Sequence, residues 1–134
     1  MRTLAQFKSL LEPEIYLHCV KILKFRVALS RLRCSAHGLE IEIGRRNAID
    51  VQLRWCKLCA RVNEFVVEDE YHFVLVCSAF TELRTSYLPQ HIVEQPTTSN
   101  FVELFKSSNV KVIQNLANYV YKGLKLRDMM LSTL

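Results

Sequence analysis

The stretch Trp55-Cys56-Lys57-Leu58-Cys59, followed by Glu68-Asp69-Glu70-Tyr71-His72-Phe73-Val74-Leu75-Val76-Cys77, decides how this chain is read. Cys56, Cys59, His72 and Cys77 stand as C-x2-C-x12-H-x4-C. Two thiolates three residues apart can bite one ion from a tight turn. A second pair downstream can complete a tetrahedron, the coordination zinc takes in structural sites. Sulfur and imidazole donors suit zinc and exclude calcium and magnesium, whose ligands are oxygens. Four protein ligands also leave no open position for water, so one structural Zn²⁺ is expected and a catalytic one is not. His72 is expected as neutral imidazole with its second nitrogen donating to a carboxylate or carbonyl, for which Glu68 and Asp69 are candidates.

Around this motif the composition is that of one folded domain. The chain has 134 residues, half of them hydrophobic, with only three Gly and three Pro. Such material can bury a core, and a single domain over 1–134 is expected. The charge is uneven: eleven Lys/Arg against five acids over 1–59, two against seven over 60–105, and five against one over 106–134. The net charge of +5 leans toward polyanionic partners. No stretch has the ~20 apolar residues of a membrane span, and no secretory leader is legible. An intracellular location, nucleus or cytoplasm, is expected, where thiols stay reduced and bind metal.

Periodicity predicts helices over Thr3–Leu11 and from Pro13 to about Ala36. In the second, Ile22, Phe25, Leu29, Leu32 and Ala36 form a stripe, with Leu23, Val27 and Cys34 opposite, so the helix is packed on two faces or broken near Lys21–Lys24. Gly38 is expected to cap it. Leu39-Glu40-Ile41-Glu42-Ile43 alternates and reads as a short strand ending at Gly44, followed by a basic loop, Arg45-Arg46-Asn47. The CxxC is placed on a turn and Phe65-Val66-Val67 on a second short strand. Glu68-Asp69-Glu70 reads as first-turn acids of a helix from about Glu70. His72 and Cys77 are ~140° apart on an unbroken helix, so the helix must end or bend near Cys77. Ser78 is a candidate cap for a helix Ala79–Leu88. The segment Gln90–Asn100 reads as a loop, with helices at Phe101–Lys106 and Val110–Met130. Ile113, Leu116, Ala117, Val120 and Leu124 share one face of the last. The fold expected is mainly α, a helical domain with a small zinc-stapled β-hairpin or knuckle at about 54–80.

Several of these residues resemble the zinc-binding C-terminal tail of reverse transcriptases of non-LTR retrotransposons. They are Ser35-Ala36-His37, Ile41-Glu42-Ile43-Gly44-Arg45, the CxxC, Glu68-Asp69-Glu70-x-His72-Phe73-x3-Cys77 and Tyr119-Val120-Tyr121-Lys122-x-Leu124-Lys125-Leu126-Arg127. The likeness spans about 15–130 and is strongest at the metal motif. It implies a domain that helps to hold RNA or DNA beside a polymerase. No Asp-Asp pair for polymerase metals is present, so polymerase activity is not implied.

Arg45, Arg46, Arg54, Lys57 and Arg61 cluster around the CxxC with Trp55, and form the candidate nucleic-acid face. Cations there would take phosphates, and Trp55 could stack on an unpaired base; the plainer alternative is a solvated edge with Trp55 packed beneath the turn. Cys19 and Cys34 read as core thiols, and His18, His37 and His91 as structural histidines, His37 bonding locally at a helix end. The function expected is a non-catalytic zinc domain contacting RNA or single-stranded DNA. Its rival is a zinc-stabilised protein-interaction module docking through its helices, on a polymerase domain for instance. No small-molecule substrate and no membrane partner are expected.

Overall fold

The computed structural model describes residues 20–133. The expected helix at Thr3–Leu11, the turn at Pro13, and His18 and Cys19 lie outside them. The described chain is built from helices: α1 (Leu23–Arg33), α2 (Glu40–Arg46), a 3-10 turn (Val51–Leu53), α3 (Lys57–Ala60), a π-turn (His72–Val76), a 3-10 turn (Ser78–Phe80), α4 (Thr81–Tyr87), α5 (Gln90–Glu94), α6 (Thr98–Lys106) and α7 (Val110–Ser132). The mainly helical expectation holds.

α7 is the spine. Its first orphan donors, Lys111 N and Val112 N, are taken by the Asn109 side chain at 2.9 and 3.2 Å. Ile113, Leu116, Ala117, Val120, Gly123 and Arg127 recur at three and four residues and are buried, the stripe that packs a helix onto a core. α1 and α4 both lie against it. Leu124, expected on the same face, is half-buried at the edge of the core.

α1 ends earlier than periodicity implied. Ala36 N donates to Arg31 O at 2.8 Å and Ser35 N to Leu32 O at 3.3 Å, while Ser35 takes a left-handed φ of 60°. This is a Schellman closure with Ser35 in the place usually given to glycine. Gly38 is therefore not the cap, and it has no positive φ. The chain turns away at Cys34, which is exposed rather than in the core.

Leu39–Ile43 is not a strand. Glu40–Arg46 is helical because its first donors have partners elsewhere: Glu40 N reaches Glu68 Oε1 at 2.9 Å and Ile41 N reaches Glu68 O at 3.0 Å. Acids in its first turn and Arg45 and Arg46 in its last also suit the helix dipole, so these two arginines sit on a helix end rather than a loop. A five-residue alternation is too short to outweigh those terms.

The expected β-hairpin reduces to one antiparallel bridge, Trp55 with Val67, flanked by Cys56 N→Val66 O at 2.8 Å and Glu68 N→Arg54 O at 3.0 Å. Nor is 90–100 a loop. Pro89 O takes Ile92 N and Val93 N to start α5, and Thr97 Oγ1 takes Asn100 N at 3.1 Å to start α6. Only Gln95, Pro96 and Thr97 separate the two helices. Ser78 likewise makes no side-chain cap, and a 3-10 turn precedes α4.

Candidate metal centre

Cys56 immediately precedes α3, with Ala60 N bonded to Cys56 O at 3.0 Å, and Cys59 follows on the same turn. The chain then reverses through Asn63, whose φ of 63° is left-handed, and Glu64 N bonds back to Cys59 O. Asn is among the few residues that take this conformation at little cost. The return limb pairs with 54–56 and delivers the second half of the motif.

That half solves the angular problem posed by His72 and Cys77. Cys77 N donates to His72 O at 2.8 Å, an i→i+5 bond that widens the turn. The turn ends there, with Cys77 extended at φ −59° and ψ 123°. Asp69 Oδ1 accepts His72 N at 2.8 Å and so caps the turn's start.

All four motif side chains are buried, and their ligand atoms lie within 4.8 Å of one another. Cys56 Sγ is 3.9 Å from Cys77 Sγ, Cys59 Sγ is 3.7 Å from Cys77 Sγ, and Cys59 Sγ is 3.4 Å from His72 Nε2. These separations are far beyond a disulfide bond of ~2.0 Å. The group could hold a metal ion.

Its electrostatics point the same way. A hydrogen bond from Cys77, with His72 nearby, brings the Cys56 thiol down to about 3 against the opposing effect of burial. Burial, and then the charge on Cys56, push Cys59 up to about 11. Its bond to Cys56, and then burial, push Cys77 up too. Three sulfurs this close cannot all be anionic unless a cation sits among them.

Around the cluster stands a shell that the sequence hid. Glu68 Oε2 lies 3.8 Å from Cys56 Sγ, and the same carboxylate is forked by Arg127, Nε to Oε2 at 2.8 Å and Nη2 to Oε1 at 2.7 Å. Arg127 Nη2 also reaches Glu40 Oε2 at 3.2 Å. Burial pushes the Glu68 carboxyl up, and Arg127 opposes it. On the other side, buried Arg84 bonds Val74 O and Cys77 O, both at 2.8 Å, and Tyr119 Oη donates to Phe73 O at 2.6 Å. Phe73 O and Val74 O belong to the π-turn, and Cys77 O at its end also accepts Phe80 N at 3.3 Å. Nothing local in the sequence marks Arg84, Tyr119 or Arg127 as supports. The signal was Arg127 falling on the buried stripe of α7, where a charge must have a partner.

Glu68-Asp69-Glu70 stand at the start of a helical stretch from Glu70, as expected, but they do more than charge its first turn. Glu68 and Glu70 are buried, and Glu70 Oε2 meets His37 Nε2 at 2.5 Å. His37 Nδ1 takes Leu39 N at 3.2 Å, so the expected local bond is present together with a long-range one. Neither carboxylate expected on the second imidazole nitrogen of His72 is there: Arg127 holds Glu68, and Asp69 serves the backbone. His91 is exposed and pairs with Glu103 at 2.6 Å.

The candidate nucleic-acid residues are spread over several roles. Arg45 bonds Glu42 at 2.8 Å and Lys57 lies 3.7 Å from Glu40. Arg54 lies over Gly44 and donates to Ile49 O and Ile41 O; Arg61 donates to Met130 O at 2.9 Å. Arg46 is exposed. Trp55 is 39% exposed, its Nε1 on Gln52 O and its ring 4.9 Å from that of Phe65.

No helix among the described residues is long and apolar enough to cross a membrane. No family model, curated protein or solved structure matches the chain.

Proposed function

We propose that this chain is a non-catalytic domain stapled by one structural zinc ion, and that it contacts RNA or single-stranded DNA. The observation that supports zinc is the shape of the cluster. A tetrahedron with Zn–S of about 2.3 Å and Zn–N of about 2.0–2.1 Å has sulfur–sulfur edges of about 3.8 Å and a sulfur–nitrogen edge of about 3.6 Å. The distances of 3.9, 3.7 and 3.4 Å lie close to three of the six edges, and the other ligand atoms stay within 4.8 Å. Cys56, Cys59, His72 and Cys77 would hold the ion, which supplies a covalent-like tie between the α3 turn and the π-turn. With four protein donors no position remains for water or substrate.

Nucleic-acid contact is supported by the net charge of +5, by the cationic side chains bordering half-exposed Trp55, and by the resemblance to retroelement reverse transcriptase tails. A docking module is the second reading, favoured by apolar side chains that α1 leaves exposed, Leu23 at 62% and Val27 at 36%. Salt separates the two. Affinity of the metal-loaded chain for a labelled single-stranded oligonucleotide should fall steeply with salt, whereas apolar docking should barely respond. Metal analysis should find one zinc per chain. A folded, metal-free protein would overturn the zinc reading, and absence of oligonucleotide binding at low salt would overturn the nucleic-acid reading.

A further inference from the structure

Between α1 and α7 lies an open groove of about 690 Å³. Apolar side chains, among them Leu23, Val27 and Leu124, form part of its walls, and Lys24, Arg31, Arg46 and Lys125 line it as well. Among the described residues none of these four cations has a carboxylate within ion-pair distance, and one acid, Asp128, shares the groove. Arg127 also lines it, but is committed to Glu68 and Glu40.

The arrangement contrasts with the edge around the CxxC. There Arg45, Lys57, Arg54 and Arg61 already bond carboxylates or carbonyls. In the groove, Lys24 Nζ and Lys125 Nζ instead converge on one ring, 5.2 and 6.0 Å from the centroid of Tyr121. Like charges gathered on a concave, partly apolar wall repel one another, and such a wall focuses their field outward. The arrangement is relieved by a ligand that brings several negative charges together with flat apolar faces. A single-stranded nucleic acid has both; a duplex hides the faces of its bases.

We infer that the α1–α7 groove is a track for single-stranded nucleic acid, with Lys24, Arg31, Arg46 and Lys125 on its phosphates. The inference rests on the nucleic-acid reading above and moves its contacts away from the CxxC edge, with Arg46 common to both.

The test uses the full, metal-loaded chain and a fluorescein-labelled oligouridylate, with anisotropy read from about 50 to about 200 mM salt. Removing one cation from a phosphate should lower the salt slope by about 0.7, so the triple variant Lys24→Gln, Arg31→Gln, Lys125→Gln should lower the slope by about 2 and the affinity by about 100-fold near 0.1 M salt. A control of equal charge change outside the groove, Lys106→Gln, Lys111→Gln, Lys122→Gln, should stay within about threefold. The charge-keeping pair Lys24→Arg, Lys125→Arg should bind like the parent. Should the triple variant fold poorly by thermal melting or metal content, Arg31→Gln alone should still lower the slope by about 0.7. Equal losses in groove and control variants, or a groove variant that binds like the parent, would overturn this inference and leave the broader reading standing. A parent chain that binds no oligouridylate would overturn both.

Discussion

Arg127 grips Glu68 through two hydrogen bonds, of 2.7 and 2.8 Å, and the oxygen that takes its Nε lies 3.8 Å from Cys56 Sγ. The last helix is thereby fastened to the back of the Cys/His cluster. Both side chains are buried, so each carries a desolvation cost that the other largely offsets, with Glu40 bonding to both. Arg127→Met should destabilise the fold by about 3–5 kcal/mol in urea unfolding. Glu68→Gln should cost less in the Arg127→Met background than in the parent chain, because the stranded charge is then gone. Equal costs in the two backgrounds would show that the pair is not coupled.

Arg84→Ala should strip donors from the carbonyls of Val74 and Cys77. A loss of about 3–5 kcal/mol is expected, since bonds from a charged donor are each worth about 1.5–3 kcal/mol. Metal affinity, read by competition with a chromophoric chelator, should drop about 10–100-fold as the His72 to Cys77 turn loosens. Arg84→Lys should not restore it, because an ammonium cannot fork between separated carbonyls.

Zinc uptake should be strongly pH-dependent. With Cys56 lowered to about 3, and Cys59 raised to about 11 alongside a raised Cys77, the cluster at neutral pH holds one thiolate and two thiols. Binding should then release about two protons per zinc at pH 7, and apparent affinity should climb about 100-fold per pH unit there. The dependence should flatten as pH approaches the range where Cys59 ionises unaided. Calorimetry in two buffers of different ionisation enthalpy counts the protons. A cluster that springs open without the ion would release nearer three, as its thiols return to about 8.5.

Gly123→Ala sets two effects against each other. Alanine should gain up to about 1 kcal/mol of helix propensity over glycine. The added Cβ, however, would sit 2.8 Å from Cζ of Phe73, a fully buried ring with Phe80 and Tyr119 at 5.1 and 5.6 Å. That ring has no room to yield, and forced overpacking costs about 1–3 kcal/mol. Net destabilisation is expected in denaturant titration; a stabilised variant would mean that Phe73 is free to move.

The long periodic helix α7 and the clustering of the four Cys/His donors were legible in the sequence because each rests on a local rule: a 3.6-residue stripe in α7, or a spacing that four donors must satisfy. Even the need for a break before Cys77 followed from the angle between residues five apart. The parts that escaped depend on residues far along the chain. Leu39–Ile43 alternates like a strand, and only Glu68, 28 residues from Glu40, turns its first donors into a helix start. The acids at 68–70 read only as first-turn acids until Arg127 and His37 are seen beside them. Polar residues at 90–100 hid Thr97, which is a cap and not a loop residue.

The distance in sequence between Glu68 and Arg127, 59 residues, also fixes an order of events as the chain is made. Every donor of the metal motif has been synthesised by residue 77, so an ion can be captured while the remainder is still being translated. The carboxylate behind that ion waits for its guanidinium until the final helix emerges. Premature termination before residue 127 would therefore keep all four donors while leaving the buried Glu68 carboxylate without its guanidinium.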